Sequence, residues 1–154
     1  MKYFDKLSAD VESAFGCRGV NTESLKYCVK ADLDGEGCYY DVYIAFDSEN
    51  LYMLSGYDRL KKKGKHYDAG FDFKEFAEYP VKDIERLSVD RYTYTSRLMA
   101  RFADGREMPL ARFSAGYGEK FEQFCRRFEC LKKGETPDAY PEFENTAEQT
   151  PIWD

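Results

Sequence analysis

The sequence predicts a mainly β (β+α) domain: a seven-stranded antiparallel sheet followed by an amphipathic C-terminal α-helix, with a short helix in front. Three observations carry this. From Leu25 onward, apolar and polar residues alternate with a period of two, broken by turns rich in glycine and aspartate. After Phe113 the period lengthens to that of a helix. Aromatic residues make up 17% of the 154 residues, with 13 Tyr and 12 Phe, and large rings suit the half-buried surface of a sheet.

The elements follow in order. Phe4, Leu7, Val11, Ala14 and Phe15 recur at helical spacing, and Gly16 reads as the stop. Leu25, Tyr27, Val29, Ala31 and Leu33 share one face of a first strand; Lys26, Cys28, Lys30 and Asp32 share the other. Asp34-Gly35-Glu36-Gly37 is a turn. Tyr40, Val42, Ile44 and Phe46 line a second strand, Asp47 to Asn50 turns again, and Leu51 to Ser55 form a third. Gly56 to Gly70 reads as the longest irregular stretch. Phe71 to Ala77, Asp83 to Tyr94, Arg97 to Phe102 and Arg106 to Phe113 complete the set, with Asp104-Gly105 as a hairpin turn. Pro109 lacks a ladder donor, so the last strand should lie at an edge or carry a bulge. Phe121, Phe124, Cys125, Phe128 and Leu131 then fall on one helical stripe, an apolar plug. Its polar face carries Glu122, Arg126, Arg127 and Glu129; Lys132 and Lys133 suit its last turn and Gly134 its cap.

Domain organisation is simple. Residues 1–23 are an N-terminal helix and linker, 24–134 the domain, and 135–154 an acidic tail or linker containing Pro137, Pro141 and Pro151. The chain needs neither disulfide nor metal to bury one core. Its five cysteines show no C-x-x-C spacing and read as reduced structural thiols. A net charge of −6 repels nucleic acid. Neither a signal peptide nor an apolar run long enough to span a membrane is visible.

Ala31 to Tyr40, Leu51-Tyr52-Met53-Leu54, Tyr79 to Glu85, the Asp104-Gly105 hairpin, Arg112-Phe113-Ser114 and the helix end at Leu131 to Glu135 together resemble a pleckstrin-homology-like domain. They are similar to the soluble N-terminal domain of bacterial ABC-type exporters. The resemblance spans about Leu25 to Glu135 and implies a partly open barrel capped at one end by the last helix. It also implies a cytoplasmic location, tethered to the inner face of the membrane through a longer parent chain. No G-x-x-x-x-G-K-[ST] loop is present, so ATP binding is assigned to no residue here.

The expected role is therefore a non-catalytic accessory domain, without cofactor or metal, that binds a protein partner or the remainder of its own polypeptide. Tyr39, Tyr43, Tyr92 and Tyr94, on the wetter faces of their strands, are candidate interface anchors. Lys61, Lys62, Lys63 and Lys65 form the sharpest charge cluster and are candidate contacts for an anionic lipid surface. His66, the single histidine, excludes histidine triads and multi-histidine metal sites. Asp32-x-Asp34-x-Glu36-Gly37 resembles the start of a calcium loop, but Tyr43 stands where its last carboxylate is required. The pairs Asp41 with Asp47 and Asp83 with Glu85 are the carboxylates that a small enzyme would use.

Overall fold

A computed structural model of the chain describes residues 7–34 and 38–134. The Asp34–Gly37 turn beyond Asp34, Phe4 and the acidic tail lie outside the described residues. Helix α1 (Ala9–Cys17) is followed by β1 (Tyr27–Asp34), β2 (Tyr39–Phe46), β3 (Asn50–Lys63) and β4 (His66–Pro80). Then come β5 (Ile84–Arg91), β6 (Thr95–Phe102), β7 (Glu107–Ser114) and α2 (Gly118–Lys133). All strand pairings are antiparallel, and the sheet order is β4-β3-β2-β1-β7-β6-β5. The sheet is not closed: β4 and β5 are its two edges. Its halves meet where β1 pairs with β7 through only Leu33↔Arg112 and Asp34↔Ala111.

The inner face carries the main core. Tyr27, Val29 and Ala31 of β1, Val42, Ile44 and Phe46 of β2, Leu98 and Ala100 of β6, and Phe113 of β7 are buried there. The α2 stripe completes it. Phe121, Phe124 and Phe128 are at most 1% exposed. Phe46 meets Phe124 and Phe128 edge-on at 5.1 and 5.4 Å, and Phe113 stacks flat on Phe121 at 3.8 Å. Gly134 ends the helix with φ 73°, donating its N–H back to the last turn. Arg127, assigned by periodicity to the polar face, is instead buried, its guanidinium 4.2 Å above the Tyr27 ring. It lies one position from Phe128, close enough to the stripe to be drawn under the sheet.

The outer face of β1–β4 is not wet. α1 packs across it, and Val11, Phe15, Leu25, Cys28, Tyr43, Tyr52, Leu54 and Phe71 form a second buried cluster. Ser8 caps α1 by accepting from Val11 N, and Asp10 accepts from Phe71 N at 3.2 Å, tying the helix to β4. The helix passes Gly16 and stops at Arg18, ahead of Gly19 at φ 87°. Leu25 belongs to this outer cluster, and Leu33 to neither.

Gly56–Gly70 is the largest departure from the sequence reading. It is no loop but the far end of the β3–β4 hairpin, turning at Gly64-Lys65, with continuous pairing from Gly56↔Phe73 to Lys63↔His66. β2 pairs no further than Gly56. Beyond it the two strands form a free ribbon of roughly 20 Å. In its β3 half, residues 57–63, the sequence offers only Tyr57 and Leu60 as apolar residues, both exposed, so it shows no apolar alternation. β5 is shorter than expected, and Tyr92 to Tyr94 lie in the turn after it. Pro109 sits in an interior strand, where the ladder shifts register: Leu98↔Ala111 is followed by Met99↔Pro109. The bulge, not an edge, is how proline is accommodated.

Candidate functional site

α2 lies beside the free edge of β5 and runs antiparallel to it. At one end Lys132 Nζ donates to Val81 O at 3.0 Å; at the other Arg91 pairs with Glu122. Between these two clamps runs a groove of about 700 Å3. Its β5 wall is a consecutive run, Glu85 to Val89. Neighbours on a strand point to opposite faces. A run of neighbours therefore lines one groove only where the strand edge itself faces it. β5 hydrogen-bonds to β6 on one side only, so its other edge presents backbone N–H and C=O groups to this groove.

Leu87, Val89, Cys125 and Phe128 supply the apolar lining. Each lining carboxylate already has a cation: Glu85 with Arg101 at 3.1 Å, Glu129 with Lys133 at 3.1 Å, and Glu122 with Arg91. Arg86 and Arg126 have no ion pair among the described residues, so the groove carries uncompensated positive charge. Burial pushes the Cys125 thiol up to about 12; Glu122 adds to the shift and Arg86 opposes it. Such a thiol is a packing group rather than a nucleophile.

A polar network occupies the opposite face. Tyr43 Oη donates to both Asp58 oxygens at 2.9 and 2.8 Å. Lys30 Nζ bridges Asp58 at 2.6 Å and Asp41 at 3.4 Å, and Asp41 accepts from Asp58 N at 2.7 Å. Burial pushes the Tyr43 hydroxyl well above its ordinary range, with the Asp58 hydrogen bond next. Burial alone would lower Lys30, but Asp58 and Asp41 outweigh it and leave it raised. The network fastens the base of the ribbon across β1, β2 and β3, and its carboxylates are consumed in doing so.

The expected site residues end up far apart in character. Tyr39, Tyr92 and Tyr94 are exposed, Tyr94 at 84%. Tyr43 is only 6% exposed, because α1 covers the face expected to be wet; it is an internal hydrogen-bond donor and not a surface anchor. Lys61, Lys62 and Lys63 are the last residues of β3 rather than loop residues, and Lys65 sits in the turn with exposed His66 following it. Asp47 accepts from Glu49 N, Asn50 N and Tyr52 Oη, a turn-forming role, and Glu85 is paired with Arg101. Among the described residues no cluster of His, Cys, Asp or Glu could hold a metal ion. None of the described helices is long and apolar enough to cross a membrane.

The β5–α2 groove escaped the sequence reading. Its residues were legible as strand and helix, but which strand ends the sheet depends on the β1–β7 pairing, and no local pattern encodes that. Comparison with protein-family models, curated proteins and solved structures finds no match to this chain.

Proposed function

We propose that this chain is a non-catalytic interaction domain of pleckstrin-homology type, and that it binds an extended acidic segment of a protein in the β5–α2 groove. The observation that carries this reading is the open backbone edge of β5 facing a groove where Arg86, Arg126 and Lys132 have no carboxylate partner among the described residues. An extended segment adds main-chain hydrogen bonds to such an edge, and its alternate side chains enter the groove. Acidic ones meet the two arginines. The segment belongs to a partner or to the remainder of a longer parent polypeptide, in keeping with the similarity to N-terminal domains of bacterial ABC-type exporters; the cytoplasmic, membrane-tethered location is part of the same proposal. The strand order, the unclosed sheet and the buried α2 stripe support the pleckstrin-homology reading.

The test is a titration with decapeptides of alternating Val and Glu, set against peptides of alternating Val and Lys. Binding of the acidic peptide alone is expected, with amide exchange slowed along β5. The double variant Arg86→Glu/Arg126→Glu should weaken it about tenfold or more. Equal binding of both peptides, or exchange unchanged in β5, would discard the groove as the site.

A second reading has one observation in its favour. The β3–β4 ribbon carries Leu60, 70% exposed, beside its lysine-rich tip, with Tyr57 and Phe73 exposed further down. An apolar side chain beside several lysines suits the surface of an anionic bilayer. Liposome sedimentation at low salt decides: a wild-type chain that ignores phosphatidylserine vesicles has no such role.

A further inference from the structure

At the far end of β5, the β5–β6 turn borders an open cleft of about 910 Å3 lined by Arg91, Arg97 and Arg112 together with Tyr92 to Thr95. No carboxylate lines it. We propose that this cleft binds a phosphoryl group.

Arg97 and Arg112 stand directly opposite each other in the β6–β7 ladder. Facing residues there have Cβ atoms about 5 Å apart, and like charges so placed destabilise a sheet. Arg97 is partly relieved. Asp90 approaches it at 3.6 Å, and its guanidinium lies over the Tyr92 ring at 4.9 Å and donates to the Tyr92 hydroxyl. Arg112 has no such relief: no carboxylate, ring or hydroxyl among the described residues meets its guanidinium, and its Nε, like that of Arg97, is shut off from solvent without a hydrogen-bond partner. A buried N–H of this kind is costly to leave unmade. Arg91 forms the third side and is held in place. Glu122 pairs with it, and Gly118 at the start of α2 makes room for it, since a Cβ there would lie 3.1 Å from Arg91 Nη1.

Forked guanidiniums from separate strands recognise a tetrahedral dianion better than a carboxylate. A single carboxylate offers one negative charge in one plane. A phosphoryl group offers two charges and three oxygens, enough to quiet Arg112 and share Arg97. Thr93, Tyr94 and Thr95 bring further hydroxyls to the rim. The cleft is also larger than a bare phosphate, which leaves space for the group that the phosphate esterifies. This site does not overlap Arg86 or Arg126 and stands whether or not the groove binds peptide.

The experiment titrates the chain with inorganic pyrophosphate at constant ionic strength, followed by NMR and by melting temperature, with acetate as the control anion. Sedimentation with phosphatidic acid vesicles, against phosphatidylcholine vesicles, separates a lipid headgroup from a soluble phosphate. The expected result is saturable shifts confined to residues 91–97 and Arg112, and a melting temperature raised by pyrophosphate but not acetate. Arg112→Gln removes the opposed charge and should fold at least as well as wild type while binding about tenfold or more weakly. Arg112→Lys, a charge without a fork, should fall between. Pyrophosphate and phosphatidic acid both failing to bind, or Arg112→Gln binding either as wild type does, would overturn the proposal.

Discussion

Tyr43 and Lys30 are worth considering together, because both hold a proton more tightly in the folded chain than out of it. Burial, the largest influence on each, raises Tyr43 and opposes Lys30; the Asp58 carboxylate raises both and, with Asp41, leaves Lys30 raised as well. A raised folded pKa contributes stability that is complete below the free group's value and is lost as pH rises through the folded one. Free Tyr and Lys titrate at about 10. Stability should therefore hold from neutral pH to about 9 and decline above 10. Urea melts of Tyr43→Phe should show a shallower alkaline decline, by about 1.36 kcal/mol per pH unit for one proton. They should also show a loss at pH 7 of about 1–3 kcal/mol for the hydrogen bond to a charged partner. Superimposable alkaline limbs for the two proteins would remove the network from the account.

Among the elements, α2 and the β3–β4 hairpin respond to substitution for different reasons. Phe124 is fully buried against Phe46, so Phe124→Ala should cost about 3–5 kcal/mol in chemical denaturation. Gly56 stands where β3 parts from β2 and shifts register against β4. A Cβ there would lie 2.1 Å from Asp72 O and 2.6 Å from Phe71 Cζ. The clash is with backbone, which cannot swing aside, so Gly56→Ala should lower stability by about 2 kcal/mol or more. A wild-type melting temperature in that variant would show that the hairpin tolerates the side chain. These two positions also mark what the sequence made readable. The α2 stripe, its charges and its glycine cap announce themselves because one face is apolar and the other is not. The ribbon beyond Gly56 offers no such contrast. Its strands are defined chiefly by pairing with each other, with side-chain anchors at the base in Asp58 and Phe71, and its lysines and glycines disguise them as a loop.

For the molecule as a whole, the face covered by α1 and the open edge of β5 set what was visible beforehand. Apart from the outer halves of β3 and β4, the strands were legible from their own residues, and of the edge or bulge that Pro109 called for the chain has the bulge. Arrangement was not. Tyr43 looks like a surface residue until α1 is laid over it, and Asp41 looks like a free carboxylate until Lys30 and the Asp58 amide claim it. The β5–α2 groove requires knowing that β5 ends the sheet, a fact written in the contact between Leu33 and Arg112.

That same contact has a bearing on how the chain is made. A ribosome releases β1 to β4 first, and these can zip into consecutive hairpins from local contacts alone. Their inner face then stays greasy and unoccupied until β7 and α2 have been synthesised, because β1 finds its second neighbour only in β7. Nascent chains therefore expose Val29, Ile44 and Phe46 until β7 and α2 emerge, and a chaperone that shields nascent apolar surface has its work on this domain in that interval.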